Sequence, residues 1–232
     1  MNSISENQEK SKRTSVKFSL QSILMLMAAI MMAFATLTSC DEDDENEDDN
    51  EISNGVDKDG LTKEIRNIVS DDFLKQLKDL GIEINGGNNP SNIEGSYLVS
   101  PDVLVKSNFD YQIKPGDIVA DREFTFYEQN NTNLTIMVDA TDIGSYETGL
   151  GSFIVGSGNK FTIFYKSEGT FNGLPFSSIN VISGEITTSG IKNWHNALIS
   201  TTSGNPYSLQ YGQGCLYKDG DGLAERSKYL YF

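Results

Sequence analysis

The chain has 232 residues with 18 Lys and Arg against 33 Asp and Glu, and the imbalance is concentrated in one stretch. Residues 1–39 hold 4 bases and 2 acids, Asp41 to Glu51 hold 9 acids and no base, and residues 92–232 hold 9 bases and 15 acids; that last segment is long enough for one domain with a real core. A chain this acidic and without a basic patch cannot release counterions from a phosphate backbone, and no zinc-finger or helix-turn-helix spacing offsets this, so nucleic acid is not an expected partner.

Lys10, Lys12, Arg13 and Lys17 precede an unbroken apolar run from Ile23 to Ala35, which leads into Leu37-Thr38-Ser39-Cys40. As a helix the run would rise about 20 Å, short of the roughly 30 Å hydrocarbon core, so the ordering reads as a secretory signal over residues 1–39. The four residues ending in Cys40 resemble the bacterial lipobox. That resemblance implies removal of residues 1–39, acylation of Cys40 and anchorage in the outer membrane through the N-terminal lipid. Residues 40–59 then form a tether whose acidic run repels itself and has nothing apolar to bury. Such a run directly after the acylated cysteine resembles the surface-export signal of Bacteroidetes lipoproteins, which implies display on the cell surface; a plain spacer on the periplasmic face is the alternative. The run lacks the glycine turn and alternating ligands of a calcium loop.

Residues 60–91 are read as an amphipathic helical segment and a loop. Leu61, Ile65, Ile68, Val69, Phe73, Leu74, Leu77 and Leu80 recur at steps of three and four, which puts one apolar stripe on a helix face. Ser70 before Asp71 and Asp72 is a capping signal, so one helix or two short ones fit equally, and Gly81 supplies the stop. The stripe is expected to pack on the chain's own domain. Gly86 to Asn92, GGNNPSN, reads as loop.

From residue 92 to 232 helical steps give way to β-branched and aromatic runs separated by Gly, Asn, Asp and Pro. Strands are expected at Gly95 to Val99, Val103 to Ile113, Arg122 to Gln129, Leu134 to Asp139, Leu150 to Gly156, Lys160 to Lys166, Ile179 to Thr187, Trp194 to Thr201, Tyr207 to Tyr217 and Ser227 to Phe232. Their spacing near ten residues, with no helix-length insert, predicts a mainly β, antiparallel, up-and-down domain of about eight or more strands. Alternation sends Phe161, Ile163 and Tyr165 to one face and Thr162 and Phe164 to the other. Aromatics on both faces are accounted for if one face is core and the other lies under the preceding helix.

Ile93 to Ser107, Val181 to Trp194 and Leu216 to Glu225 resemble segments of the lipocalin-like, calycin-type lipoproteins of Bacteroidetes. The resemblance covers about Leu61 to Phe232 and implies a lipocalin-like barrel preceded by helices. Gly95-Ser96-Tyr97 sits where lipocalins carry Gly-x-Trp, with Tyr in place of Trp, and the second lipocalin signature is missing. Arg226 would correspond to the late arginine that packs over that aromatic.

The chemistry of catalysis leaves little trace. One histidine and two cysteines far apart exclude the common zinc sites. Cys215 is expected to be a small buried thiol, and nothing places His195 beside it. No nucleophile elbow, phosphate loop or cofactor motif is present; Gly149-Leu150-Gly151-Ser152 lacks the lysine of a phosphate loop. Asp139 and Asp142 read as solvated turn acids. Asp219-Gly220-Asp221-Gly222 reads as a tight hairpin rather than a weak calcium site. Aromatic strand residues are core first and ligand contacts second; Tyr97, Tyr127, Phe164, Trp194, Tyr207 and Tyr211 are the candidate cavity liners, with Trp194 packed over the barrel bottom and His195 outward. The expectation is a non-catalytic envelope lipoprotein without cofactor that binds a small apolar ligand or a glycan. Its alternatives are a fully packed barrel serving an envelope protein complex and, more remotely, a carboxylate hydrolase.

Overall fold

Two capped helices open the described part of the chain. The computed structural model describes residues 55–227 apart from 111, 143, 144, 172 and 207; the leader, Cys40, the acidic run and Tyr207 lie outside the described residues. Helix α1 (Lys63–Ile68) begins where the Thr62 hydroxyl accepts the Ile65 N–H, and α2 (Asp71–Leu80) where Ser70 does the same for Phe73. Gly81, at φ 110°, ends α2 by donating its N–H to the carbonyls of Leu77 and Lys78, a left-handed cap that favours glycine. The break at Ser70 therefore makes two helices of the single apolar stripe. Arg66 fastens them to the preceding turn, with Nε 2.7 Å from Asp57 and Nη2 2.6 Å from Asp59.

Twelve strands follow, eight of which close a ring. In order around it they are β2 (Gly95–Val99), β4 (Arg122–Asn130), β5 (Thr135–Asp142), β7 (Leu150–Gly158), β8 (Lys160–Phe171), β9 (Leu174–Ile186), β10 (Gly190–Ser200) and β12 (Leu223–Arg226). Every neighbouring pair is antiparallel; β12 returns to β2 through Arg226 opposite Tyr97, and β5 meets β7 at Thr135 opposite Phe153. This is a closed eight-stranded antiparallel barrel of lipocalin-like type, preceded by two short helices, which removes the exposed sheet edges an open meander would leave.

Four strands lie off the ring. β1 (Asn88–Pro90) runs parallel to β7 inside the stretch expected to be loop; β6 (Ser145–Thr148) pairs with β5. β3 (Asp102–Ser107) and β11 (Gly214–Asp219) pair with each other, and β11 also pairs with β10. Both β11 and β12 run antiparallel to β10, against its C-terminal and N-terminal parts respectively. They are one long strand interrupted at residues 220–222, so the Asp219 to Gly222 segment is a kink and not the hairpin its composition suggests. The Asp219 carboxylate makes it, accepting the N–H groups of Asp221, Gly222 and Leu223 at 2.8–3.1 Å through one oxygen and that of Ser100 through the other.

Several strand ends differ from the sequence expectation. The Val103 to Ile113 run stops at Ser107, where the Ser107 hydroxyl donates to the Phe109 carbonyl and the chain turns. The Tyr207 to Tyr217 run becomes strand only at Gly214; the loop before it is tied by Gln210, whose amide donates to the Asn205 carbonyl, and by Asn205, whose amide donates to the Leu174 carbonyl of β9.

The alternation in β8 reaches both of its faces. Phe161, Ile163 and Tyr165 point inward with Tyr97, Phe124, Phe126, Ile182, Ile191 and Trp194. Phe164 points outward, in a second core with Val155, Val181, Ala197 and Ile199 beneath Ile65, Leu74, Leu77 and Leu80 of the helices. The apolar stripe thus has its partner within its own domain, and each buried leucine contributes about 1.5–3 kcal/mol. Cys215 is buried, and burial pushes its thiol up, which keeps it protonated and inert as a nucleophile.

Candidate functional site

The barrel interior changes chemistry halfway along its axis. On β8 the inward positions run Phe161, Ile163, Tyr165, Ser167, Gly169; on the paired β9 they run Ile186, Gly184, Ile182, Asn180, Ser178, Phe176. The first half of each series is apolar and the second polar or small. The apolar half is filled. Trp194 packs on Phe124 with ring centroids 4.8 Å apart, Phe126 lies 6.1 Å from Trp194 and 5.8 Å from Tyr97, and the Tyr97 hydroxyl donates to the Ile93 carbonyl at 2.8 Å. Arg226 closes this end, its guanidinium carbon 5.0 Å from the Tyr97 ring centre, the stacking that the lipocalin resemblance implies. A Cβ on Gly95, at φ 137°, would lie 2.8 Å from that guanidinium, so the glycine makes room for the pair.

The other half is open. A cavity of about 570 Å³ is lined by Arg122 of β4, Asp142 of β5, Glu147 of β6, Ser167 and Thr170 of β8, Phe176 to Ser178 and Asn180 of β9, Leu198 and Ser200 of β10, and Ser208 and Leu209 of the loop at its mouth. Its size falls within the roughly 300–1,000 Å³ of small-molecule sites. On one wall the Ser167 and Ser178 hydroxyls lie 2.8 Å apart, and the Asn180 amide donates to them at 2.9 and 3.0 Å. On the opposite wall Arg122 Nη2 bonds Glu147 Oε2 at 3.3 Å, with the guanidinium 5.1 Å from the Phe124 ring centre. The Ser200 hydroxyl lies 2.9 Å from the Leu209 carbonyl it donates to, which holds the loop over the rim.

Beneath this lining lies a group of buried polar atoms with no hydrogen-bond partner among the described residues: Arg122 Nε, Glu147 Oε1, Ser152 Oγ, Tyr165 Oη and Asn196 Oδ1. Arg122, Glu147 and Tyr165 act on one another electrostatically, because burial pushes the Tyr165 phenol up, Glu147 pushes it further and Arg122 opposes both. Tyr165 therefore remains a neutral hydroxyl, able to donate and accept. Ser152 is placed beside the same ring across Gly149, where a Cβ would come within 2.8 Å of Ser152 Oγ and 2.9 Å of the Tyr165 ring. Each unsatisfied buried polar atom costs about 1–3 kcal/mol, so these five make this half of the interior the more costly one to fold.

Asp102 stands within electrostatic reach of Arg122, Asp121 and Asp219. Asp102 is buried, with Oδ1 unpartnered among the described residues; burial raises its carboxyl to about 7, Arg122 lowers it, and Asp219 and Asp121 raise it further. Among the described residues no three His, Cys, Asp or Glu are grouped to hold a metal ion, and Asp219 is occupied by backbone N–H groups.

The aromatic residues chosen from sequence are dispersed. Tyr97 and Trp194 belong to the filled half, Phe164 to the core under the helices. Tyr127 is half-buried on β4, and Tyr211 is exposed, its ring 5.6 Å from Phe73 of α2. None of these lines the cavity. His195 points away from the interior next to inward Trp194, with Nδ1 2.9 Å from the Asn193 carbonyl. Of the lining residues that sequence reasoning passes over, Arg122, Ser167, Ser178 and Asn180 carry one usable signal, since they continue the inward phase of strands whose other half is apolar; Glu147, on the short β6, carries none. A second depression, about 610 Å³, lies outside the barrel between α1 and the β4–β5 turn; it touches none of the buried unpartnered atoms, which directs attention to the interior. Comparison of the chain with models of known families, with curated proteins and with solved structures returned no match.

Proposed function

We propose that this chain is a non-catalytic, lipid-anchored envelope protein of the lipocalin-like group whose half-open barrel binds a small molecule. The observation that carries the reading is the 570 Å³ cavity at one end of the closed barrel, walled by Arg122 and Glu147 on one side and by Ser167, Ser178 and Asn180 on the other. An interior packed to both ends would favour a purely structural or protein-interaction role; here only the Trp194 half is packed in that way. Beside Phe176, Leu198 and Leu209 the walls carry Arg122, Glu147, Ser167, Ser178 and Asn180, a mixed lining that favours a glycan over a purely apolar ligand. Anchorage rests on the order of basic segment, short apolar run, Cys40 and acidic tether, and that acidic tether favours the cell surface over the periplasmic face.

Native mass spectrometry of the protein extracted from its own membranes tests both parts in one spectrum. The expected result is a chain beginning at Cys40 with added acyl mass, carrying a non-covalent adduct of small-molecule mass. An unacylated chain that retains residues 1–39 would overturn the anchorage. An adduct-free chain whose cavity variant Ser178→Leu is equally adduct-free would overturn the binding role.

A further inference from the structure

We infer that the cavity receives a neutral, hydroxyl-rich end of a saccharide, held between the Asn180 wall and the Arg122–Glu147 wall with one sugar face on Phe176. The inference rests on the small-molecule reading above and names the ligand class.

Three observations carry it. The first is the mixture of polar groups on the walls. The bond between Ser167 and Ser178 consumes one of their two hydroxyl hydrogens, and Asn180 Oδ1 takes no part in the triangle, so one donor and one acceptor remain side by side. The opposite wall offers a guanidinium that only donates and a carboxylate that only accepts. A carboxylate or phosphate brings acceptors alone and an ammonium donors alone. A hydroxyl brings both, so a polyhydroxylated group suits both walls.

The second observation is charge. Arg122, the one basic residue of the lining, is already paired with Glu147, and Asp142 and Glu147 share the rim with it. An anionic ligand would face both carboxylates; an ammonium would face the guanidinium. Neutral ligands meet neither cost.

The third is the aromatic surface. Phe176 lines the cavity, and its ring lies so close over Gly169 that a Cβ there would come within 2.8 Å of it. The glycine lets the ring lie along the wall. Its electron-rich face then suits the C–H face of a sugar ring, which completes the amphiphilic match: hydroxyl edges to the polar walls, C–H face to Phe176.

The test uses the full mature protein in detergent against an immobilised array of neutral mono- to tetrasaccharides, uronic acids, sialic acids and amino sugars, with a fluorescent fatty acid as the apolar probe. Wild-type protein is expected to retain neutral saccharides. Ser178→Ala, which removes one hydroxyl of the lining, and Phe176→Ala are each expected to weaken that binding about five- to tenfold, with an unchanged far-ultraviolet spectrum. Retention confined to charged sugars or to the fatty acid, or neutral-sugar binding indifferent to both variants, overturns the inference and leaves the small-molecule role standing. A chain that carries a co-purified adduct yet retains no neutral saccharide also overturns it. A chain with neither adduct nor saccharide overturns the role and the inference together.

Discussion

The two halves of the barrel share strands, register and closure, yet one is a core and the other a vessel. Around Trp194, inward residues are large and apolar and fill the space between strands. Two positions further along the same β8 and β9, inward residues are Ser167, Ser178 and Asn180, and the space is left open. Closure of the sheet is therefore not what decides whether an eight-stranded barrel holds a ligand; the size and polarity of the inward residues decide it, layer by layer. The first half supplies the stability that lets the second carry buried polar atoms at a cost.

The largest expected effect lies in the filled half. Trp194→Ala should destabilise the protein by about 3–5 kcal/mol in urea titration, because a fully buried indole leaves a cavity its aromatic neighbours cannot collapse into. Asn180→Ala, at a comparably buried position in the open half, should cost only about 1 kcal/mol, the net worth of its hydrogen bonds. Equal losses would break the distinction between the halves.

A smaller effect is expected at the buried carboxyl near Arg122. Asp102 is held at about 7 by burial, partly offset by Arg122 and reinforced by Asp219 and Asp121, against about 3.9 in the unfolded chain. The folded state thus binds the proton more tightly. The contribution of Asp102 is fully present below about pH 4 and is lost as the pH rises through about 7. Asp102→Asn, which cannot ionise, should match the wild type near pH 4 and exceed it above pH 7 by on the order of 1–3 kcal/mol. Chemical denaturation at both pH values checks this; a variant less stable at the higher pH would show that the carboxylate is ionised and needed there.

Much of the architecture can be read from local chemistry. Thr62, Ser70 and Gly81 mark the helix ends because caps satisfy backbone groups within a few residues. The alternation of Phe161 to Tyr165 gives both faces of β8, and the helical stripe accounts for outward Phe164. What escapes such reading is set by partners distant in sequence. The kink at residues 219–222 depends on the Ser100 N–H as well as on its own glycines. β1 pairs with β7 through backbone alone and has no side-chain period to announce it. The site escapes for a different reason: a serine or asparagine turned inward is indistinguishable, in isolation, from one turned to water. Searching for aromatics leads to Tyr97 and Trp194 in the filled half, where large rings are needed for packing, and to Phe164 beneath the helices, but not to the cavity. Following the inward phase of β8 and β9 past Tyr165 and Ile182 is the step that reaches Ser167, Ser178 and Asn180.

The most direct test of the open polar half is a crystal structure at a resolution that defines ordered solvent, determined on protein purified from its own envelope. The account predicts solvent or ligand density in the cavity, hydrogen-bonded to side-chain atoms of Arg122, Glu147, Ser178 and Asn180. A collapsed upper barrel, with those atoms bonded to one another and no enclosed density, would contradict it.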